Sequence, residues 1–574
     1  MQTVVDFNKN TGKLEITCSF KDNGLVRALP DRRFNKRKGT WIAPIISRNV
    51  KAVKEKFPKE CFTTEARKAI EEYLQEIRNR QKTTNELFPS WYKFKTEPMK
   101  HQMDGLNGAW GREQYGFLFE QGLGKTKTFI DWAAALRMTN EVRGAVMICP
   151  NSVKNVWPDE LAIHCPIPHQ VHVAEAGKWQ KAKEHMLADH EFPWVIFGIE
   201  SFSQGNAKKF LIEIMQSGDW IVGVDESTAI KNAQSKRTEQ IHKAGELAKY
   251  RCIMTGTPVT QGLEDLYSQF YFLDPNILGF QSYYSFRNYF CVMGGFEDRE
   301  IVGYNNSDEL MELVKDHCLR VTKDEALDLP PKVFMPPRRV TLTKEQRKIY
   351  DDLKRDMIAE IEAAEAGHSL EVKSVIEQMG RLQEITGGFY SVFNPDLRNG
   401  KGAYERHPVP GKNPKVEDLL SYMSEVRGNK VIVWCKFRAE IELVAQTLRK
   451  AKYNVVEFHG GNKDERHLSV KAIQEGDADV IVASYAMARG QTLTKSTYSY
   501  YFSKPFSYED FAQSTDRNHR KGTVSSVTYD TVLSDAGVDQ RVEEILAHKT
   551  DMAGFVSTEL KTGTKLSTLL KDLL

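Results

Sequence analysis

The chain has few of the features that would cross-link it or carry it into a membrane. Its 574 residues include eight cysteines, at positions 18, 61, 149, 165, 252, 291, 318 and 435, with no Cys-x-x-Cys pair. That scatter argues against structural zinc and a disulfide frame, and fits reduced core thiols. No apolar run approaches the roughly 18 residues of a membrane span. The first residues lack an apolar core followed by a small-residue cleavage site, so export is not expected. There is no internal repeat at a period of roughly 20–50 residues and no long low-complexity tract, which excludes solenoids and propellers. An excess of one charge is missing too: 80 Lys and Arg stand against 77 Asp and Glu. What remains is an ordinary globular composition, 41% hydrophobic and 27% charged. The length exceeds what one core supports, so several domains are expected.

The near-neutral total hides a local imbalance. Residues 1–60 hold fourteen Lys and Arg against six Asp and Glu, a net of about eight positive charges. Arg27, Arg32, Arg33, Lys36, Arg37, Lys38 and Arg48 crowd around Phe34 and Trp41. Such a stretch is either a solvated basic face or a phosphate-binding surface, and the scarcity of acids favours the second.

The hydrophobic pattern divides the chain. Residues 1–60 read as a small α+β module, with strands near Val4–Phe7 and Leu14–Phe20 and a helix over Asn49–Phe57. Residues 61–93 read as a helical connector, with Ile70, Tyr73, Leu74 and Ile77 on one face. Residues 94–335 alternate short apolar strands with helices: Gly116–Phe119, Gly144–Cys149, Val195–Ile199, Trp220–Asp225 and Arg251–Thr255. Residues 336–548 repeat the alternation, with strands at Lys430–Cys435, Asn454–Phe458, Val480–Ser484, Tyr498–Phe502 and Val524–Val532. The stretch 340–385 reads as amphipathic helix, 394–414 as a long loop and 549–574 as a weakly patterned tail. The expected fold class is therefore α/β, with two tandem parallel-sheet lobes behind a small α+β module.

Four short strings carry chemistry. Gly122-Leu123-Gly124-Lys125-Thr126 lies between a predicted strand and a predicted helix. Glycines let the backbone wrap a polyphosphate, and a helix N-terminus offers free N–H groups to it. Lys125 would reach the β- and γ-phosphates of ATP and the Thr126 hydroxyl would ligate Mg²⁺; Lys127 completes the candidate nucleotide-binding stretch. Phe119 stands where a glycine or alanine is usual in such loops. The apolar run Val222–Val224 ends in Asp225-Glu226. Acids at the end of a buried strand are costly unless they meet a cation or hydrogen-bond donors. Asp225 is placed to hold Mg²⁺ and Glu226 to polarise an attacking water, although such a pair could also cap the next helix. Thr255-Gly256-Thr257-Pro258 is either a relay from the phosphate site toward nucleic acid, through Thr257, or a plain turn. Gln513, Arg517 and Arg520 share one face of a predicted helix at i, i+4 and i+7. Arginines that meet a γ-phosphate raise hydrolysis by roughly 10³–10⁵.

Assembled in this order, the strings resemble the Swi/Snf-type ATPases of helicase superfamily two, over residues 90–550. The resemblance extends to Lys100-His101-Gln102, similar to an adenine-reading Q motif with Gln102 as its contact, and to Cys149–Val153 with Trp157 and Glu160. It includes Lys231-Asn232, Val431–Phe437, His459-Gly460-Gly461, Gly490–Thr494 and Gln513–Gly522. It implies two RecA-like lobes, with Gly490 and Gln513 beside the nucleotide and Asn151, Ser152, Lys231, Asn232, Thr257, Lys436, His459 and Thr492 facing DNA. The chain departs from the family at Ser227-Thr228, where Gly-His is usual, at Gln491-Thr492 and at Thr523. None of these removes a phosphate or magnesium contact.

The first module is similar to the HARP domain of annealing helicases and to the UvsW-like branch-migration helicases of phage, through Leu29–Asn35, Lys38, Trp41 and Pro44. That likeness implies binding of forked or branched DNA through Arg32, Arg33, Lys36, Arg37, Lys38 and Trp41. The expectation is a monomeric, DNA-dependent, ATP- and Mg²⁺-using translocase on duplex DNA that reverses forks, migrates branches or anneals strands. Strand separation, or displacement of chromatin or RNA polymerase, is the alternative. The expected setting is a prokaryotic or phage-infected cytoplasm, or a nucleus in a eukaryote.

Overall fold

The computed structural model describes residues 3–80, 87–175, 178, 184, 191–203, 207–260, 262–294, 300–327, 329–365, 372–394, 403–462, 465–488, 491–520, 522–523 and 525–548. The tail 549–574 and the predicted site residue Gly490 lie outside them. Two compact units divide between Ala326 and Leu327, not at 335. The reason is strand pairing: Lys332–Phe334 and Arg338–Val340 both run parallel to Val527–Ser534, in the sheet of the second unit.

The first unit begins with an antiparallel sheet of Val4–Asn8, Lys13–Thr17, Thr40–Pro44 and Arg33–Asn35, in that spatial order. The helices Ser47–Lys56 and Thr64–Arg80 cover it. Val5, Leu14, Ile16, Val50, Val53, Ala66 and Ile70 share one core, with Tyr73 and Leu74 packed against it. The predicted connector helix is thus part of the module, because its apolar stripe has a sheet to bury against.

The larger part of this unit is a parallel sheet in the order Cys318–Val321, Gln114–Phe119, Tyr250–Met254, Trp220–Asp225, Gly144–Cys149, Pro193–Gly198, Gln170–Val173. Five of these strands are predominantly apolar and almost wholly buried, and were predicted within a residue or two. The outer two, Cys318–Val321 and Gln170–Val173, are half-exposed at the sheet edges and show no continuous apolar run. Trp132, Trp194 and Trp220 are fully buried here.

The second unit has a parallel sheet ordered Lys332–Phe334, Val527–Ser534, Tyr498–Tyr501, Val431–Cys435, Val480–Ser484, Val455–Phe458, with Arg338–Val340 also on Val527–Ser534. Helices Lys344–Glu365 and Val372–Gly387 fill the stretch expected to be helical. The expected loop at 394–414 instead contains the strand Ala403–Pro408, paired antiparallel with Phe389–Asn394; its Gly and Pro content masked a hairpin arm. Both large sheets are parallel and helix-covered, the RecA-like α/β class expected from the alternation. Among the described residues all eight cysteines are free, and no helix is long and apolar enough to cross a membrane.

Candidate functional site

In the first unit the register Met254↔Asp225, Met254↔Phe117 and Ile148↔Val224 brings the carboxyl ends of four strands to one sheet edge. Ligands of open α/β sheets bind at that edge. In sheet order it presents the Gly122–Thr126 loop, Thr255–Pro258, Asp225-Glu226 and Asn151-Ser152.

The loop is held from below. Gly122 and Gly124 take φ of 87° and 77°, and Gly124 caps the helix Lys125–Met138. A Cβ on Gly124 would lie 2.0 Å from Gln102 Nε2, so both conformation and space demand glycine there. Gln102 Nε2 donates to the Leu123 carbonyl at 3.0 Å, His101 Nε2 lies 2.8 Å from the same oxygen, and Gln102 Oε1 accepts from Met99 N at 2.9 Å. Gln102, predicted to read adenine, is therefore 2% exposed with both ends of its amide engaged on the protein. Phe119 also explains itself. Its ring is buried edge-on against His101 over Gly105, where a Cβ would come within 2.8 Å, and its carbonyl accepts from Lys125 Nζ at 2.9 Å. The bulky side chain points into the core and leaves the loop backbone unobstructed.

Lys127 behaves otherwise than expected. Its ammonium is buried, 2.5 Å from Asp131 Oδ2 and over the Phe94 ring, while Tyr92 donates to Asp131 Oδ1 at 2.9 Å. One residue beyond the phosphate loop, the helix has turned this side chain into the protein, so Lys127 is structural.

Asp225 Oδ1 accepts from Glu226 N at 3.0 Å. Burial and the neighbouring Glu226 raise the Asp225 carboxyl well above its ordinary value, with Lys125 and Trp157 opposing the shift. Glu226 has φ of 50° and accepts from Gln121 Nε2 at 3.4 Å. A destabilised carboxylate beside a buried ammonium at a helix N-terminus suits a polyphosphate with a divalent cation. Thr126 and Asp225 would hold that cation. Among the described residues no group of three or more His, Cys, Asp and Glu could hold a metal ion by itself.

Of the residues expected to face DNA in this unit, Asn151, Ser152, Asn232 and Thr257 are exposed. Asn151 is braced by its N–H on Glu200 and its side chain over Gly198. Lys231 is instead tied to Thr260 and lies 3.6 Å from Asp265. A buried pair that sequence reading missed lies beside it: Ser227 Oγ donates to Gln269 Oε1 at 2.7 Å. No local motif announces this bond across the fold.

In the second unit the helix carrying Gln513 is Tyr508–Thr515. Arg517 and Arg520 therefore lie beyond it in turns, not on its face; Asp516 caps the helix and the sequence period misleads. Arg517 is 1% exposed and donates from Nε to Gln513 O at 3.0 Å and from Nη1 to Gln491 O at 3.1 Å. Arg520 is half-exposed, donating from Nε to Asp516 O and from Nη1 to the exposed Thr492 Oγ1, both at 3.0 Å. Gln513 is buried and donates to Glu509 at 2.9 Å. Lys436 Nζ donates to Gln383 Oε1 at 2.8 Å and packs on Phe506; burial pushes its pKa well down. It is engaged inside the unit and is not offered to DNA. His459 Nδ1 accepts from Gly461 N at 3.0 Å, and its Nε2 lies 3.3 Å from Glu457.

On the first module, Arg32, Arg33, Phe34, Lys36, Arg37 and Lys38 are exposed along and just beyond the edge strand Arg33–Asn35. Phe34 and Trp41 rings lie 5.0 Å apart, and Trp41 Nε1 donates to Asn23 Oδ1. Lys38 pairs with Glu15 at 3.2 Å, and Arg32 donates to Leu29 O. Arg48, counted in the same basic cluster, turns away and docks on residues 278–309 of its own unit.

The SNF2-related domain matches residues 101–387, and the helicase conserved C-terminal domain matches residues 412–522. The chain belongs to the SNF2-related family. It is 25% identical over 464 residues to the uncharacterized ATP-dependent helicase MG018 of Mycoplasma genitalium, covering 79% of this chain and 41% of that protein. It is 21% identical over 531 residues to the ATP-dependent helicase FUN30 of Saccharomyces cerevisiae, covering 79% and 46%. The chain thus spans less than half the length of these two relatives. The Sulfolobus solfataricus SWI2/SNF2 ATPase core in complex with dsDNA aligns with 85% of this chain and 99% of its own at 22% identity and a TM-score of 0.37. At that score neither a ligand nor an arrangement of the units follows.

Proposed function

We propose that this SNF2-related chain is a DNA-dependent ATPase that translocates on duplex DNA and remodels branched structures such as forks or four-way junctions. One observation carries the reading. The unit that bears the phosphate loop and acid pair also bears, fixed through Arg48, an exposed basic hairpin with two neighbouring aromatic rings. Basic side chains neutralise backbone phosphates, and aromatic rings accept unpaired bases where strands part.

In this reading the Gly122–Thr126 backbone and Lys125 bind the triphosphate, and Glu226 orients water and accepts its proton. Mg²⁺, held through Thr126 and Asp225, would neutralise charge on the phosphate oxygens. Arg520 is the candidate catalytic arginine of this reading, with Arg517 holding its turn. Contacts to DNA are mainly to phosphates, so binding weakens steeply with salt and shows little sequence preference.

The test compares phosphate release stimulated by linear duplex, single strand, fork and four-way junction, and triplex displacement as a report of duplex tracking. Glu226→Gln should abolish turnover while DNA binding persists. Arg33→Ser, Lys36→Ser and Arg37→Ser together should leave linear-duplex stimulation intact and remove the preference for forks. Turnover indifferent to DNA, or a fork preference untouched by the triple substitution, would reject the proposal.

A further inference from the structure

Ser227 and Gln269 form a link the reaction scheme above does not use. Both side chains are 0% exposed. Gln269, on the helix Asp265–Leu273, accepts from Ser227 Oγ at 2.7 Å through Oε1 and donates through Nε2 to Pro258 O at 2.7 Å and Asp265 O at 2.8 Å. Asp265 Oδ2 accepts from both the N–H and the hydroxyl of Thr260 at 2.8 Å. One buried amide therefore joins the turn after the acid pair to the end of Thr255-Gly256-Thr257-Pro258.

The remaining sides of a ring are also present. Gly256 packs on the strand leading to the phosphate loop, where a Cβ would lie 3.2 Å from Gln121 N and 3.3 Å from Phe119 O. Gln121 in turn donates to Glu226 at 3.4 Å. Glu226 sits in the left-handed region at φ of 50°, a conformation a non-glycine residue keeps only when its surroundings hold it. Ser227, the next residue, supplies such a hold, and Thr257 at the other end of the link is exposed.

We propose that Gln269, with Ser227, is a positioning pair that couples the state of Glu226 to the Thr257 loop, so that nucleic acid on that loop sets the rate of turnover. The proposal rests on the DNA-dependent ATPase reading above. An apolar side chain at 269 would fill the space but break both arms of the link. Because a buried hydroxyl or amide left without its partner is costly, the pair moves as one or not at all.

The experiment uses the full chain and measures phosphate release with and without duplex DNA, beside the thermal midpoint, for wild type, Ser227→Ala, Ser227→Thr, Gln269→Met and the double variant Ser227→Ala/Gln269→Met. Ser227→Ala and Gln269→Met should each keep DNA-free turnover within about threefold and lose about tenfold of the DNA stimulation, on the scale of one lost buried hydrogen bond. Ser227→Thr keeps the hydroxyl and should keep most of the stimulation. The double variant should be no worse than Gln269→Met alone, since one link can be broken only once. Stimulation unchanged in either single variant, a parallel fall of basal and stimulated rates, or multiplicative losses in the double variant would overturn the coupling role. A wild-type chain that hydrolyses ATP without responding to DNA would overturn the functional reading itself, and does so before any variant is compared.

Discussion

Arg48 Nη2 donates to Glu309 Oε1 at 2.6 Å while its guanidinium lies 4.6 Å from the centroid of Phe280 and 4.4 Å from that of Tyr289. A planar cation stacked on two rings and paired with a carboxylate is a rigid joint, which lysine would not reproduce. Tyr73 donates to Asn276 and Gln281 N donates to Asp31 nearby. These contacts tie the module to Asn276, Phe280, Gln281, Tyr289 and Glu309 of the same unit.

Arg48→Ala should cost about 1–3 kcal/mol of the stability of the first unit and separate its melting into two transitions in calorimetry. Fork preference should fall while linear-duplex stimulation stays. One transition at the wild-type midpoint would show that the joint is dispensable.

Much of this was legible in the sequence, for identifiable reasons. Gly144–Cys149 and Trp220–Asp225 are apolar at every position but the last acid, so their strands and buried parallel pairing follow from the letters. Gly122–Thr126 and Asp225-Glu226 are contiguous strings, found without knowing the fold, and the structure places both at one edge of the first sheet. The helix face expected to carry Gln513, Arg517 and Arg520 together was misread because the helix stops at Thr515, and the side chain of Lys127 turns inward one residue past the Gly122–Thr126 loop, since a side chain's direction depends on where a helix starts or stops. The Ser227–Gln269 and Arg48–Glu309 contacts were invisible because they join residues distant in sequence through bonds that have no period.

His242 Nε2 lies 2.9 Å from the Ser268 carbonyl and its ring 4.9 Å from that of Tyr271. Burial lowers its pKa from the ordinary 6.5 to about 4. The unfolded chain therefore takes up a proton at a higher pH than the folded one. The stability due to neutral His242 is full above pH 6.5 and drains away as pH falls toward 4. At pH 5 the loss should be about 2 kcal/mol. Urea unfolding at several pH values should show this slope in wild type and a flatter one in His242→Asn. Equal slopes would show that the imidazole is not what responds.

Arg517 and Arg520 should separate on substitution. Arg517 is buried with Nε and Nη1 on two backbone carbonyls, so Arg517→Ala leaves acceptors unpaired and should lower the stability of the second unit by about 2–4 kcal/mol along with turnover. Arg520 is half-exposed; Arg520→Ala should leave the melting midpoint within about 1–2 °C and reduce turnover about 10³-fold. Retained turnover in Arg520→Ala would remove it from the catalytic scheme.

Lys127 makes the sharpest contrast with Lys125, two residues before it. Lys127→Ala strands the buried Asp131 carboxylate, whose pKa burial already raises against the pull of Lys127, and should cost about 3–5 kcal/mol. Replacing both partners, Lys127→Met with Asp131→Leu, removes the stranded charge and should restore most of that loss. Nucleotide affinity in the folded protein should stay within about threefold of wild type in the double variant, as expected of a residue that only packs the helix, whereas Lys125→Ala should abolish turnover with little change in stability. If the stable double variant loses ATP binding as Lys125→Ala loses turnover, Lys127 belongs to the nucleotide site after all, and the helix must rotate to deliver it.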